Sequence, residues 1–517
     1  MKLYTSIISL FFLVAASAFG ANDKYRLIIT DDPSTTMTIG WNQISGHSVA
    51  VFFDVVDHGQ DVQQYANFQL PDRTVVFKDM NNYFVRLSNL SPATKYYFVI
   101  VDNEGVSQRF WFETLPDDPN VPLSVIAGGD SRRSGTETSP HEPRIQSNKV
   151  VRAVRPHFVA FGGDYTDRDT DGQWKAWFDD WQYTTGEDGR MTPIYAARGN
   201  HERSNEIVTN LFDVRMPDVY YAINFGGSLI RFYTLNSMAS VAGDQTNWLA
   251  QDLMQNDSAT AWKMAHYHYT IAPHTASKPY RIGQYTHWAP LFYQHGLQLI
   301  IECDTHMAKN SWPVKPSDEN GSEVGFIRDD ETGTVYTGEG SWGLVRPANV
   351  EYNWTRDKGS FTQVKWMHVT MDSVVVYTIK SATSNTDVSV DDNDRFKMPE
   401  GFDIWITENG NRILIDRPNP LYQPQQVTST NDIERLQVKL IKKLYPNPSN
   451  NIINVQLQEP VTHSYRVFDI KGRVVKEGQM KNTLNALDIN NLMVGNYYLK
   501  VWKKGSTAFQ VESFVKN

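Results

Sequence analysis

The chain of 517 residues is 40% hydrophobic and carries 14 tryptophans, so it is too long for one ordinary core and too apolar for bulk disorder. Its net charge of −9 gives no basic footprint for nucleic acid, and its single cysteine, Cys303, excludes an intrachain disulfide. Several domains are expected, held by their cores and by any bound metal.

Residues 1–20, MKLYTSIISLFFLVAASAFG, combine Lys2, an apolar stretch and an Ala16-Ser17-Ala18 cleavage pattern, and read as a signal peptide. No other run is long and apolar enough for a transmembrane segment. Residues 22–117 alternate in short runs between turn residues. Leu27–Thr30, Met37–Trp41, Val49–Phe52, Tyr83–Leu87 and Tyr96–Val101 read as strands of an all-β sandwich. The piece Leu90-Ser91-Pro92-Ala93-Thr94-Lys95-Tyr96-Tyr97 resembles a turn of fibronectin type III domains, and Trp41 resembles their buried core tryptophan. No convergent polar set stands out in this stretch, which suits a spacer or docking domain.

From 121 to 416 strands alternate with helical patterns, the signature of an α/β domain. Helices are expected over Pro143–Arg155, Asp171–Gln182, Gln245–Met254 with Asp244 as its cap, and Trp288–His295 with Gly296 after it. Their aromatic stripes read as core. Five segments run apolar and then stop at Asp, Asn or His: Val121–Asp130, His157–Asp164, Thr192–Glu202, Trp262–His268 and Leu297–His306. Such segments are buried strands that deliver polar side chains to one edge of a sheet.

Residues 417–439, rich in Pro, Gln, Ser and Thr, read as a linker. The final stretch, 440–517, is a small all-β unit. Ile452–Leu457 alternates, Val467–Val475 forms a hairpin about Lys471-Gly472, and Gly495–Val501 is a further strand. Led by Leu444-Tyr445-Pro446-Asn447-Pro448-Ser449, this block resembles the C-terminal sorting domain of type IX secretion cargo. The resemblance implies export to the cell surface or medium, with the type IX machinery as partner.

The strand-end residues are, in order, Gly129-Asp130, Gly163-Asp164, Gly199-Asn200-His201-Glu202, His268 and Asp304-Thr305-His306. A lone Gly-Asp is a weak signal, but the ordered set is a specific one. It resembles the calcineurin-like metallophosphoesterases and, with the β-sandwich in front, the purple acid phosphatase type. The resemblance implies an α-β-β-α sandwich and two metal ions (Fe, Mn or Zn) about 3.5–4 Å apart, which share a carboxylate and clamp a phosphoryl group. Carried over by position, Asp130 and His306 would hold the first metal, Asp164 would bridge, and Asn200 and His268 would hold the second. His201 would touch the phosphoryl oxygens or protonate the leaving group. The nucleophile implied is a hydroxide on the metals, without a phosphoenzyme.

Three departures stand out. The tyrosine position of the purple enzymes holds Asp167, so no purple colour is expected and Asp167 becomes an added candidate ligand. Asp304 stands where the first histidine of Gly-His-x-His is usual and remains a candidate ligand that favours harder metals. Arg132 stands where many relatives have a histidine; it cannot bind metal but can grip phosphate, and loss of one metal becomes conceivable. His266 and His268 face the same side of an ideal strand and compete. In relatives the ligand follows a Trp by six positions, so Trp262 points to His268. His274, in a loop, is a candidate substrate contact, as are Arg133 and Arg346. The sum is a secreted binuclear-metal phosphatase acting on a small phosphate monoester. A phosphodiesterase or nucleotidase of the same fold is one alternative, and a non-catalytic adhesion or scaffold protein is the other.

Overall fold

The computed structural model describes residues 21–133, 140–422, 440–469, 474–503 and 509–517. The proposed signal peptide, the Lys471-Gly472 turn and residues 423–439 of the expected linker lie outside the described residues. The chain forms two compact units, Met1–Gln423 and Pro424–Asn517.

In the first unit the N-terminal strands make a sandwich around Trp41, Val51, Val85, Phe98 and Phe112, all buried. One of its sheets runs Asn67–Gln69, Ala50–Asp54, Lys95–Val101, Phe110–Glu113. At the Leu90–Tyr97 turn the Ser91 amide donates to the Tyr96 hydroxyl at 2.8 Å, which pins the corner. The other sheet does not end with this domain. Ile28 pairs in parallel with Ile194, so the strands Asn22–Ile28, Met37–Gln43, Met80–Leu87 and Arg73–Phe77 extend the central domain's sheet to ten strands. A sequence reading that draws a boundary near residue 117 cannot see this long-range pairing.

The central domain has four layers. The ten-stranded sheet contributes the parallel strands Leu123–Gly128, Phe158–Phe161 and Ile194–Ala196. A seven-stranded sheet contributes Ile230–Thr234, Trp262–Tyr269, Leu299–Cys303 and Val335–Gly338, also parallel. These strands are largely apolar and almost wholly buried because both of their faces are covered. Phe158 stacks on Phe225 with ring centroids 4.4 Å apart where the sheets meet. Near the strand ends the sheets come closer still: a Cβ on Gly162 would lie 2.3 Å from Cys303 Sγ, so only glycine fits. The helices Glu142–Val154 and Asp171–Trp181 share the core of the first sheet, while Asp244–Gln255 and Ala289–Gln294 share that of the second.

The expected helices are present with shifted ends. Thr170 Oγ1 caps Asp171–Trp181 by accepting from the Gln173 amide at 3.3 Å. Asp244 is not a cap: it is the first residue of its helix, and Gly243, with φ 93°, takes the cap position. The Trp288–His295 helix is shorter, Ala289–Gln294, and Ile282–His287 forms a separate helical segment before it.

The second unit pairs Ile441–Tyr445, Ile452–Leu457 and Leu484–Asp488 in one sheet. Val474–Met480, His463–Asp469, Gly495–Lys503 and Phe509–Lys516 form another. Ile453, Val455, Leu457, Val467, Leu499 and Val501 give it a core of its own.

Candidate metal centre

Asp130 follows Leu123–Gly128, Asp164 follows Phe158–Phe161, Asn200 and His201 follow Ile194–Ala196, and Asp304 and His306 follow Leu299–Cys303. The parallel arrangement brings these strand ends to one edge, where the chain must turn sharply. Asp130, Asp164, Asp304 and His306 all take left-handed backbone conformations, with φ of 59°, 56°, 75° and 62°. Non-glycine residues avoid that region except where the surroundings impose it, and such strain gathers at working sites. Gly340 lets Asp130 fit: a Cβ there would lie 1.8 Å from Asp130 Oδ2.

Asp130, Asp164 and His268 each present a ligand atom within 4.8 Å of one another, and all three are fully buried. His268 Nδ1 lies 3.0 Å from the Gly162 carbonyl, which fixes this nitrogen as the donor and aims Nε2 into the cluster. Around Nε2 stand acceptors: Asn200 Oδ1 at 3.1 Å, Asp164 Oδ1 at 3.2 Å and Asp304 Oδ1 at 3.7 Å. Asp130 Oδ1 has no hydrogen-bond partner among the described residues, although it is buried. A convergent set of oxygens around one imidazole, with a carboxylate oxygen left unsatisfied, fits a divalent cation.

The electrostatics agree. Burial, then repulsion from Asp164 and Asp304, raises Asp130 to about 7. Burial alone would lower His268, but Asp164, Asp130 and Asp304 outweigh it and raise His268 to about 10. Burial would raise Asp164, yet His268, His201 and Arg132 hold it well below the usual carboxylate range. The Asp130 carboxylate, raised by burial and by its carboxylate neighbours, thus calls for a nearby cation.

The other side of the cluster is different. The Arg132 side chain, only 7% exposed, turns its guanidinium onto three of the expected ligands. Nε lies 3.3 Å from Asp164 Oδ2, Nη1 lies 2.5 Å from Asp167 Oδ1, and Nη2 donates to His306 Nε2 at 3.2 Å. The His306 lone pair is therefore given to Arg132, and Nδ1 is left buried without a partner among the described residues. Burial, then the Arg132 charge, keeps His306 neutral, well below the ordinary histidine value. Asp304 is similarly engaged: Lys278 Nζ bonds its Oδ1, and Arg281 Nη2 lies 3.6 Å from its Oδ2. The donors present fit one cation beside Asp130, Asp164, His268 and Asn200. They do not fit a second one beside His306 and Asp167, where Arg132 takes the lone pairs.

His201 sits at the rim with its side chain 24% exposed. Its amide donates to Asp164 Oδ1 at 2.9 Å, its Nδ1 lies 2.5 Å from the Asp167 carbonyl, and its Nε2 lies 3.7 Å from Asp164 Oδ2. His266 stays outside the cluster. Its Nε2 meets Thr234 Oγ1 at 2.6 Å, its ring stacks on Tyr195, and burial lowers it to about 3. The two histidines part because the strand's register against Leu299–Cys303 shifts between His266 and Tyr269.

His274 is not brought to the site. It is fully buried between Glu339 Oε1 at 3.1 Å and Thr355 Oγ1 at 2.7 Å, so its ring has no free edge for a ligand. Arg133 is exposed and Arg346 is partly exposed, its amide donating to the His306 carbonyl at 2.7 Å.

Three contributors escape the sequence reading. Glu202 is buried and accepts from the amides of Asp164, Tyr165 and Gly199 at 2.9, 3.0 and 2.8 Å, which holds the Asp164 turn in place. Its position as fourth residue of Gly-Asn-His-Glu is the only sequence signal for it. Lys278 and Arg281 come from a loop without a motif.

Three family models match the chain. Residues 23–114 match the purple acid phosphatase N-terminal domain, 141–308 the calcineurin-like phosphoesterase, and 443–516 the secretion system C-terminal sorting domain. The second span takes in every site residue from Asp164 to His306 but begins after Asp130 and Arg132. Comparison with curated protein sequences gives no match. Among solved structures, purple acid phosphatase PPD1 from yellow lupin (Lupinus luteus) seeds is similar at 14% identity and a TM-score of 0.55, over 73% of this chain and 76% of that one. A structure of PhoD is similar at 11% identity and a TM-score of 0.54, over 78% and 92%. Both likenesses are to the fold. The chain thus joins a purple acid phosphatase N-terminal domain, a calcineurin-like phosphoesterase domain and a C-terminal secretion sorting domain.

Proposed function

We propose that the chain is a secreted, metal-dependent phosphoesterase that hydrolyses phosphate monoesters. The observation that carries this is the buried cluster of Asp130, Asp164 and His268, with its ligand atoms within 4.8 Å of one another. Asp130, Asp164, His268 and Asn200 would hold the cation, whose identity among Fe, Mn and Zn is open. When bound, such an ion supplies Lewis acidity and lowers the pKa of a nearby water.

The chain's own groups do the rest. Asp164 is oriented by the Glu202 carboxylate through the backbone. His201, anchored by its amide on Asp164 and open to solvent, is placed to give a proton to the departing ester oxygen. Arg132, Lys278 and Arg281 border the site, and Arg346 adjoins His306. Cationic groups at the border suit the dianionic phosphate of a monoester better than the single charge of a diester. Export through the type IX machinery to the cell surface or medium rests on the C-terminal sorting domain and on the signal-peptide reading of residues 1–20.

One observation favours a second reading. Arg132 and Lys278 occupy ligand atoms of Asp167, His306 and Asp304, as a retired, non-catalytic shell would allow. Hydrolysis of p-nitrophenyl phosphate and of its bis-ester by the full chain, reconstituted with Mn, Fe or Zn, separates the cases. Turnover of the monoester in preference to the bis-ester is the expected result. Preference for the bis-ester would make the protein a phosphodiesterase, and no turnover with any metal would leave the non-catalytic shell.

A further inference from the structure

We infer that Arg132 is a built-in substitute for one of two metals, so that the site is a hybrid of one exchangeable cation and one fixed guanidinium. This rests on the metal-dependent reading above and deepens it. All three guanidinium nitrogens point at groups that a cation would otherwise bind: Nε at Asp164 Oδ2, Nη1 at Asp167 Oδ1 and Nη2 at His306 Nε2. The hydrogen bonds to Asp167 Oδ1 and His306 Nε2 occupy those acceptors' lone pairs, and an N–H donor and a metal cannot share one lone pair; the Nε contact with Asp164 Oδ2 is an ion pair without a hydrogen bond. Both partners are removed from solvent: the Arg132 side chain is 7% exposed and that of Asp164 is 1% exposed.

The replacement is coordinated across the sequence. Asp167 gives Arg132 a carboxylate partner, and the left-handed turn at Asp164 aims Oδ2 at Arg132 and Oδ1 at His268. Asp164 therefore bridges, as a shared carboxylate should, but between a guanidinium and a metal position. Asp130 Oδ1, unsatisfied among the described residues, lies 3.4 Å from His306 Nε2. A guanidinium can hold a phosphoryl oxygen by hydrogen bonds, but it cannot ionise a water. Water activation would thus fall to the single ion beside Asp130 and His268.

The test is metal stoichiometry, which does not depend on turnover. Full-length protein is dialysed against excess Mn(II), its metal content is measured, and its electron paramagnetic resonance spectrum is recorded. About one manganese ion per chain is expected, with the spectrum of an isolated ion, whereas Arg132→His or Arg132→Ala should take up about two with the spectrum of a coupled pair. Two ions in the wild-type protein would overturn the substitution while leaving the metalloenzyme reading intact. So would a single ion in both folded variants, because Arg132 would then not be what excludes the second. No bound metal in the wild-type protein would overturn the metalloenzyme reading itself, and this inference with it.

Discussion

The two flanks of Asp164 use similar residue types to opposite ends. On one flank, Asp130, Asn200 and His268 present acceptors and one aimed imidazole, with a buried carboxylate oxygen left unpaired. On the other, Asp167 and His306 are just as suited to metal by type, but Arg132 bonds Asp167 Oδ1 and His306 Nε2. The lesson is that ligand identity does not make a metal site. What decides is whether the lone pairs that meet there remain free, and one residue two positions after Asp130 settles that for half of the centre.

The largest effect should come from emptying the first flank. His268→Ala removes the imidazole whose Nε2 faces Asn200 and Asp164, and turnover should fall by about a thousandfold or more together with bound metal. His266→Gln, in the same strand, should leave metal content unchanged and lower stability by about 1 kcal/mol through the loss of its Thr234 contact. Equal metal loss in the two variants, measured by elemental analysis, would erase the distinction drawn between them.

A smaller effect sharpens the same contrast. Without metal, His268 is raised to about 10 and so carries a proton at neutral pH. A metal must displace that proton and the part of a proton that Asp130, raised to about 7, holds at neutral pH, so uptake should release about one to two protons per ion, and apparent affinity should weaken as pH falls. Calorimetry in buffers of different ionisation enthalpy reads the release directly. Uptake without proton release would mean that His268 is already neutral, and hence that its carboxylate neighbours do not act on it as described.

Much of this centre was legible before any coordinates. Asp130, Asp164, Asn200, His268 and His306 each close an apolar segment, and parallel strands between two covered faces put such closures at one edge. The α/β and all-β parts were legible for the same reason, through hydrophobic period. Pairing between distant segments was not. Nothing in Leu27-Ile28 announces Ile194, so the shared ten-stranded sheet stayed hidden. His266 and His268 looked equivalent because a period of two assumes an unbroken strand, and a local register shift broke it. His274 read as a loop residue free to reach substrate, but Glu339 and Thr355 bury it. Arg132 read as a phosphate contact; only side-chain geometry turns it toward Asp167 and His306.

The central claim is that the buried cluster around Asp164 holds the catalytic cation. The most direct measurement follows turnover of a chromogenic phosphate monoester and metal content in the same samples, before chelation, after it, and after Mn(II) is restored, for the wild-type protein and Asp164→Asn. In the wild type both should be lost on chelation and return together, and in Asp164→Asn neither should reach more than about a thousandth of the wild-type level. Turnover that survives chelation, or an Asp164→Asn protein that still hydrolyses the ester, would contradict the account.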